Sequence, residues 1–121
     1  MSRTILIIDD HADSRDALAL FLSASNMSVA VAANRGDALS ILSRSRDISC
    51  VLMDYHMPGM NAVEFLARLR ADHPTVRCIL TSASVDVALI AKELGLKDWI
   101  AKPLDPDRLL SIVGSLGCCE A

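Results

Sequence analysis

"CVLMDYHMPGMNAVEFL", residues 50–66, decides how the chain is read. An apolar run stops at Asp54, His56 follows two residues on, and a new amphipathic stretch begins after Pro58-Gly59. Strand-forming residues ending in an acid, then a turn, then a helix signal describe one βα step that delivers a carboxylate to the rim of a sheet. Asn61 with Glu64 three residues later has the form of a capping box, and Val63, Leu66 and Leu69 follow at helical spacing. Glu64, Arg68 and Asp72 make an i, i+4 charge ladder, as expected of a solvated helix face.

The same step recurs on either side. "TILIID" (4–9) and "VRCILT" (76–81) are continuous apolar runs, "SVAVAA" (28–33) is a weaker one, and "DWIAK" (98–102) reads as a fifth strand. Continuous runs fit strands of a parallel sheet covered on both faces by helices. Asp13 is expected to cap a helix over 14–25 carrying Ala17, Leu18, Phe21 and Leu22. A second, over 35–45, shows Ala38, Ile41 and Leu42, and Ser84 is expected to cap a fourth that ends near Gly95. Asp105-Pro106 opens a last helix with Leu109, Ile112, Val113 and Leu116. The resulting βαβαβαβαβα order predicts a three-layer α/β sandwich. Its sheet is doubly wound and parallel, with five strands in the order 2-1-3-4-5, a flavodoxin-like arrangement.

Composition limits the function. A chain of 121 residues makes one domain, 1–121, able to bury roughly two-thirds of its unfolded surface. Aromatic residues are only 3% against 52% hydrophobic, so the core must be aliphatic. The net charge of −3, without a Lys/Arg-rich block, argues against direct nucleic-acid binding and against polybasic membrane attachment. No apolar run approaches the ~18 residues of a membrane-spanning helix, and no signal-peptide pattern opens the chain, so the expected location is cytoplasmic. Cys50 and Cys78 sit in apolar runs and are expected to be buried, whereas Cys118-Cys119 is too tight for a zinc clip.

The polar residues of interest all fall at one rim of this architecture. Asp9 and Asp10 end the first strand, Asp54 the third, Thr81-Ser82 the fourth and Lys102 the fifth. The strand order reverses between strands 1 and 3, where folds of this kind open their ligand crevice. Three neighbouring carboxylates need a counter-charge, and two carboxylates, a backbone carbonyl and water suit Mg²⁺. With a lysine and a hydroxyl beside them, this is a phosphoryl-transfer constellation in which one carboxylate takes the phosphoryl group.

The motifs "IIDDH" (7–11), "LMDYHMPGM" (52–60), "ILTS" (79–82) and "WIAKPL" (99–104) together resemble a response-regulator receiver domain of the CheY-like family, over nearly the whole chain. Their spacing, 44 residues from Asp10 to Asp54 and 21 from Thr81 to Lys102, makes the set specific. The resemblance implies that Asp54 is the phosphoacceptor, that Asp9, Asp10, Asp54 and the His56 carbonyl hold Mg²⁺, and that Lys102 is the charge partner. It makes Thr81 the switching hydroxyl, with Ser82 a second candidate, and Trp99 the switch ring where Tyr or Phe is usual. His56 and Ala83 would set the lifetime of the phospho-form, and the Lys102-Pro103 bond would be cis. Small Ala83 and Ala88 would leave room for Trp99 to turn inward, and the His11 ring is expected to be solvated.

The implied function is a two-component phosphorelay switch, phosphorylated by a histidine kinase or phosphotransfer protein and catalysing only its own phosphorylation and dephosphorylation. Output would pass to a downstream protein through the face of helix 4, strand 5 and helix 5, with a homodimer also open. The alternatives are a constitutive, non-phosphorylated interaction module, or the N-terminal receiver fragment of a longer regulator. An aspartate-nucleophile phosphatase fits less well, because His56 stands where its second Asp is expected and no glycine-rich phosphate loop is present.

Overall fold

The structure, a computed structural model, describes residues 4–115. Five strands alternate with five helices. They are β1 (Thr4–Ile8), α1 (Ala12–Ala24), β2 (Ser28–Ala32), α2 (Arg35–Arg44), β3 (Ile48–Asp54), α3 (Ala62–Asp72), β4 (Arg77–Ser82), α4 (Val87–Glu93), β5 (Asp98–Ala101) and α5 (Pro106–Ser115). The strands form one parallel sheet in the order β2-β1-β3-β4-β5, as the sequence predicts. Leu116 and Cys118-Cys119 lie outside the described residues.

Alternation along the strands divides the core into two layers. Leu6, Ile8, Val51, Met53 and Leu80 face α2, α3 and α4, meeting Leu42, Phe65, Leu66, Leu69, Val87 and Ala91. Ile5, Ile7, Leu52, Ile79 and Ile100 face the other way onto Leu22 of α1 and Leu109 and Val113 of α5. Cys50 and Cys78 are buried, as expected, and burial pushes the Cys78 thiol up to about 12. No helix among the described residues is long and apolar enough to cross a membrane.

Helix starts and faces show where local sequence signals hold. Asn61 caps α3 by accepting from the Glu64 N–H at 2.7 Å, and Asp105 accepts from the Asp107 N–H at 3.0 Å where α5 opens. Two expected caps fail. The α1 helix starts two residues earlier, with His11 preceding it and Asp13 already in its first turn. Ser84 closes a local turn by accepting from the Asp86 N–H at 3.1 Å, and α4 begins only at Val87. A serine two residues from its partner favours the tight turn over a helix start. The assigned apolar faces also shift in two places: Val63 is 67% exposed while Ala62 and Phe65 are buried, and Ala17 faces solvent. A helical stripe is wider than three positions, and the neighbours won the buried side.

The α4 helix does end as expected. Gly95 takes a positive φ of 75°, and the N–H groups of Gly95 and Leu96 return to the carbonyls of Lys92 and Ala91.

Candidate functional site

The β1, β3, β4 and β5 ends bring the expected residues to one rim. Register places Asp54 directly beside Thr81 on the neighbouring strand, and the Tyr55 N–H extends the ladder to the Thr81 carbonyl. Asp54 is buried, with one carboxylate oxygen taking the Lys102 ammonium at 2.9 Å and the other the His56 N–H at 3.2 Å. Asp9 is buried too, its carboxylate accepting from the His11 N–H at 2.9 Å, whereas Asp10 faces solvent. The Lys102-Pro103 peptide bond is cis, as the resemblance implied.

The acids can hold a cation. Carboxylate oxygens of Asp9, Asp10 and Asp54 lie, with a His11 ring nitrogen, within 4.8 Å of one another. An oxygen-rich donor set with one solvated side suits a hard ion that keeps several waters, which is the chemistry of Mg²⁺. His11 is exposed as expected, but its Nδ1 leans to 3.1 Å from Asp10, a contact the sequence did not foreshadow. A cleft of about 270 Å³, lined by Asp9, Ser14, Leu18, Lys102, Pro103 and Leu104, opens beside the acids.

The two hydroxyl candidates separate by their partners. Thr81 is buried, with Oγ1 3.4 Å from the Met53 carbonyl, one residue from Asp54. Ser82 Oγ is occupied by the Ser84 N–H at 3.0 Å. His56 is exposed, its ring set edge-on to Tyr55. Trp99 is half-buried against the α4 side of the core, and the Arg108 guanidinium of α5 lies 5.3 Å from its ring centre. The space expected beneath α4 is not lined by Ala83 and Ala88: both face solvent, and Val87 and Ala91 occupy the buried side. On so short a helix, moving the start to Val87 turns position 88 outward.

Two arginines were missed. Arg15 donates to the Asp9 carbonyl at 2.9 Å. Arg35 is 2% exposed and reaches under the β3–α3 connection, where it donates to the carbonyls of Asp54, Tyr55 and Met60 at 3.0, 2.9 and 2.8 Å. A signal existed: Arg35 is the first residue of α2, and a cation at a helix N-terminus opposes the helix dipole. Such a placement calls for compensation elsewhere.

With this geometry in place, comparison with known proteins is decisive. The family model of the response regulator receiver domain matches residues 5–114. The chain belongs to that family. The receiver domain is 33% identical over 115 residues to Sporulation initiation phosphotransferase F of Bacillus subtilis, covering 93% of this chain and 92% of that protein. It is 32% identical over 115 residues to Transcriptional regulatory protein FixJ of Bradyrhizobium diazoefficiens, covering 92% of this chain and 55% of that one. A response regulator receiver protein from Pseudomonas putida superposes with a TM-score of 0.85 at 25% identity, over 95% of this chain and 98% of that one. The chain spans about half the length, or less, of several curated relatives that it matches.

Proposed function

We propose that this receiver domain is a Mg²⁺-dependent phosphorylation switch of the cytoplasm that takes a phosphoryl group on Asp54 from a histidine kinase or phosphotransfer protein. The observation that carries the reading is the buried Asp54 carboxylate, paired with Lys102 at 2.9 Å and gathered with Asp9 and Asp10 into one acid cluster. Asp9, Asp10, Asp54 and the His56 carbonyl would hold the ion, whose contribution is to neutralise charge on the phosphoryl oxygens. An Asp54 oxygen forms a bond to phosphorus as the bond from phosphorus to the donor's imidazole nitrogen breaks, and the departing ring takes a proton from solvent. Lys102 holds the attacking carboxylate and then a phosphoryl oxygen.

The Thr81 hydroxyl, beside Asp54 in the ladder and weakly engaged at 3.4 Å, turns to a phosphoryl oxygen. Trp99 relays the change to the α4–β5–α5 face, which docks a downstream protein or a second copy of the chain. The exposed Leu89 gives that face an apolar contact. Ala83 offers no group to position a hydrolytic water and His56 is the remaining side chain placed to do so, which gives a long-lived phospho-form. Intact mass after acetyl phosphate tests the reading. One phosphoryl group should be gained with Mg²⁺, and none without the ion or in Asp54→Asn; labelling that survives that substitution refutes it.

A further inference from the structure

Arg35 is a charged side chain buried without a carboxylate of its own. Among the described residues no acid pairs directly with it, and Asp54, the nearest in chemistry, spends its carboxylate on Lys102 and the His56 N–H. Burying a guanidinium costs several kcal/mol unless its donors are satisfied. Here the fork is filled by three main-chain carbonyls and, at 3.4 Å, by the Met53 sulfur. Those acceptors are not scattered. Asp54 and Tyr55 immediately precede His56, and Met60 closes the same loop before α3, so one planar group clasps both ends of the segment 54–60.

The loop needs such a clasp. It turns through Gly59 at a φ of 90° and has few apolar anchors at its tip, since His56, Pro58 and Gly59 are exposed. Fixing the Asp54 and Tyr55 carbonyls sets the two peptide planes leading to His56, and so the direction of the His56 carbonyl and N–H. The His56 N–H in turn holds the Asp54 carboxylate. Electrostatics runs the same way: burial lowers the Arg35 pKa, and the nearby negative charge of Asp54 opposes that shift. Lysine could supply a charge here but not a planar fork that spans three acceptors.

We infer that Arg35 is a positioning residue of the phosphoacceptor site, its guanidinium clasping the carbonyls of Asp54, Tyr55 and Met60 so that Asp54 and His56 are presented to the cation. The inference rests on the phosphoacceptor reading above. Partners that orient ligands without touching the metal typically cost 10–100-fold in metal affinity when removed. Mg²⁺ alone is therefore titrated into wild type, Arg35→Lys and Arg35→Met, following the amide resonances of Asp10 and His56. Each variant is first shown to be folded.

The dissociation constant should rise at least fivefold in both variants. A merely structural arginine lowers the unfolding midpoint and leaves that constant within fivefold in the folded protein, which overturns the inference. If neither variant folds, the wild type decides. The Arg35 Nε–H resonance should shift along the same Mg²⁺ titration curve as the His56 amide, and an Arg35 signal unmoved at saturation overturns the inference. A wild type that binds Mg²⁺ and is phosphorylated, with unaffected variants, sinks this inference alone. A wild type that does neither sinks the phosphoacceptor reading and this inference together.

Discussion

The β3–α3 and β4–α4 connections occupy equivalent places at one rim, yet they are tied down very differently. The first is clasped from beneath by Arg35, braced by the His56 N–H on Asp54 and closed by the Asn61 cap. The second is held by two local turns, Ser84 N–H to Ser82 Oγ and Asp86 N–H to Ser84 Oγ. It carries Val85 at 97% exposure and leads into a seven-residue helix without a side-chain cap. Long-range ties fix a geometry, whereas contacts two residues apart travel with the loop. Under the proposed function the difference suits the first connection to chemistry and the second, which can rearrange at small cost, to readout.

Lys102 bridges the two regions, since it extends from β5 to the acid on β3, and its loss should have the largest effect. Lys102→Ala should abolish measurable phosphoryl uptake. It should also destabilise the fold by about 1–2 kcal/mol, less than for a fully buried pair because Lys102 is 29% exposed. Intact mass and urea unfolding check the two parts.

The strand beneath the looser connection is itself rigidly packed, and alkali exposes this. The Cys78 thiol is raised by burial from 9.0 to about 12, partly offset by Arg70 and Arg35. The folded state therefore keeps a proton that the unfolded state releases. The resulting stability is complete below pH 9 and is lost as pH rises toward 12. Unfolding midpoints over this window should fall more steeply for wild type than for Cys78→Ala; parallel slopes would mean that the thiol meets water.

The caps compare the two connections directly. Asn61→Ala should cost about 1 kcal/mol, the usual loss for a cap, while Ser84→Ala should cost only about half as much because no helix start depends on it. Equal losses in urea unfolding would erase the distinction. An effect no larger than that of the Asn61 cap belongs to Arg108. Its contact with Trp99 is worth about 0.5–1 kcal/mol, and Arg108→Ala should increase quencher access to this sole tryptophan. Beryllofluoride with Mg²⁺ should alter Trp99 emission in both proteins, and constant emission at saturation would make the ring simple packing.

Much of this was legible in the sequence, because strands buried on both faces write themselves as apolar runs and their last residues are fixed by the sheet. Asp9, Asp54, Thr81 and Lys102 were readable for that reason. Helix starts were less so: Asn61 and Ser84 are both plausible caps, and only tertiary placement decides which N–H each side chain meets. Arg35 was hidden for a different cause. Its main partners are main-chain carbonyls 19 to 25 residues away, and carbonyls leave no mark in a sequence. Only its unfavourable place at the start of α2 pointed to it.

The central claim is that Asp54 is the residue that carries the phosphoryl group. Borohydride reduction traps an acyl phosphate by converting the aspartyl residue to homoserine, and peptide sequencing by mass spectrometry then locates it. After acetyl phosphate and Mg²⁺, homoserine should appear at position 54 and nowhere else. Homoserine at position 9 or 10, or an unreduced chain that nevertheless gained the phosphoryl mass, would contradict the account.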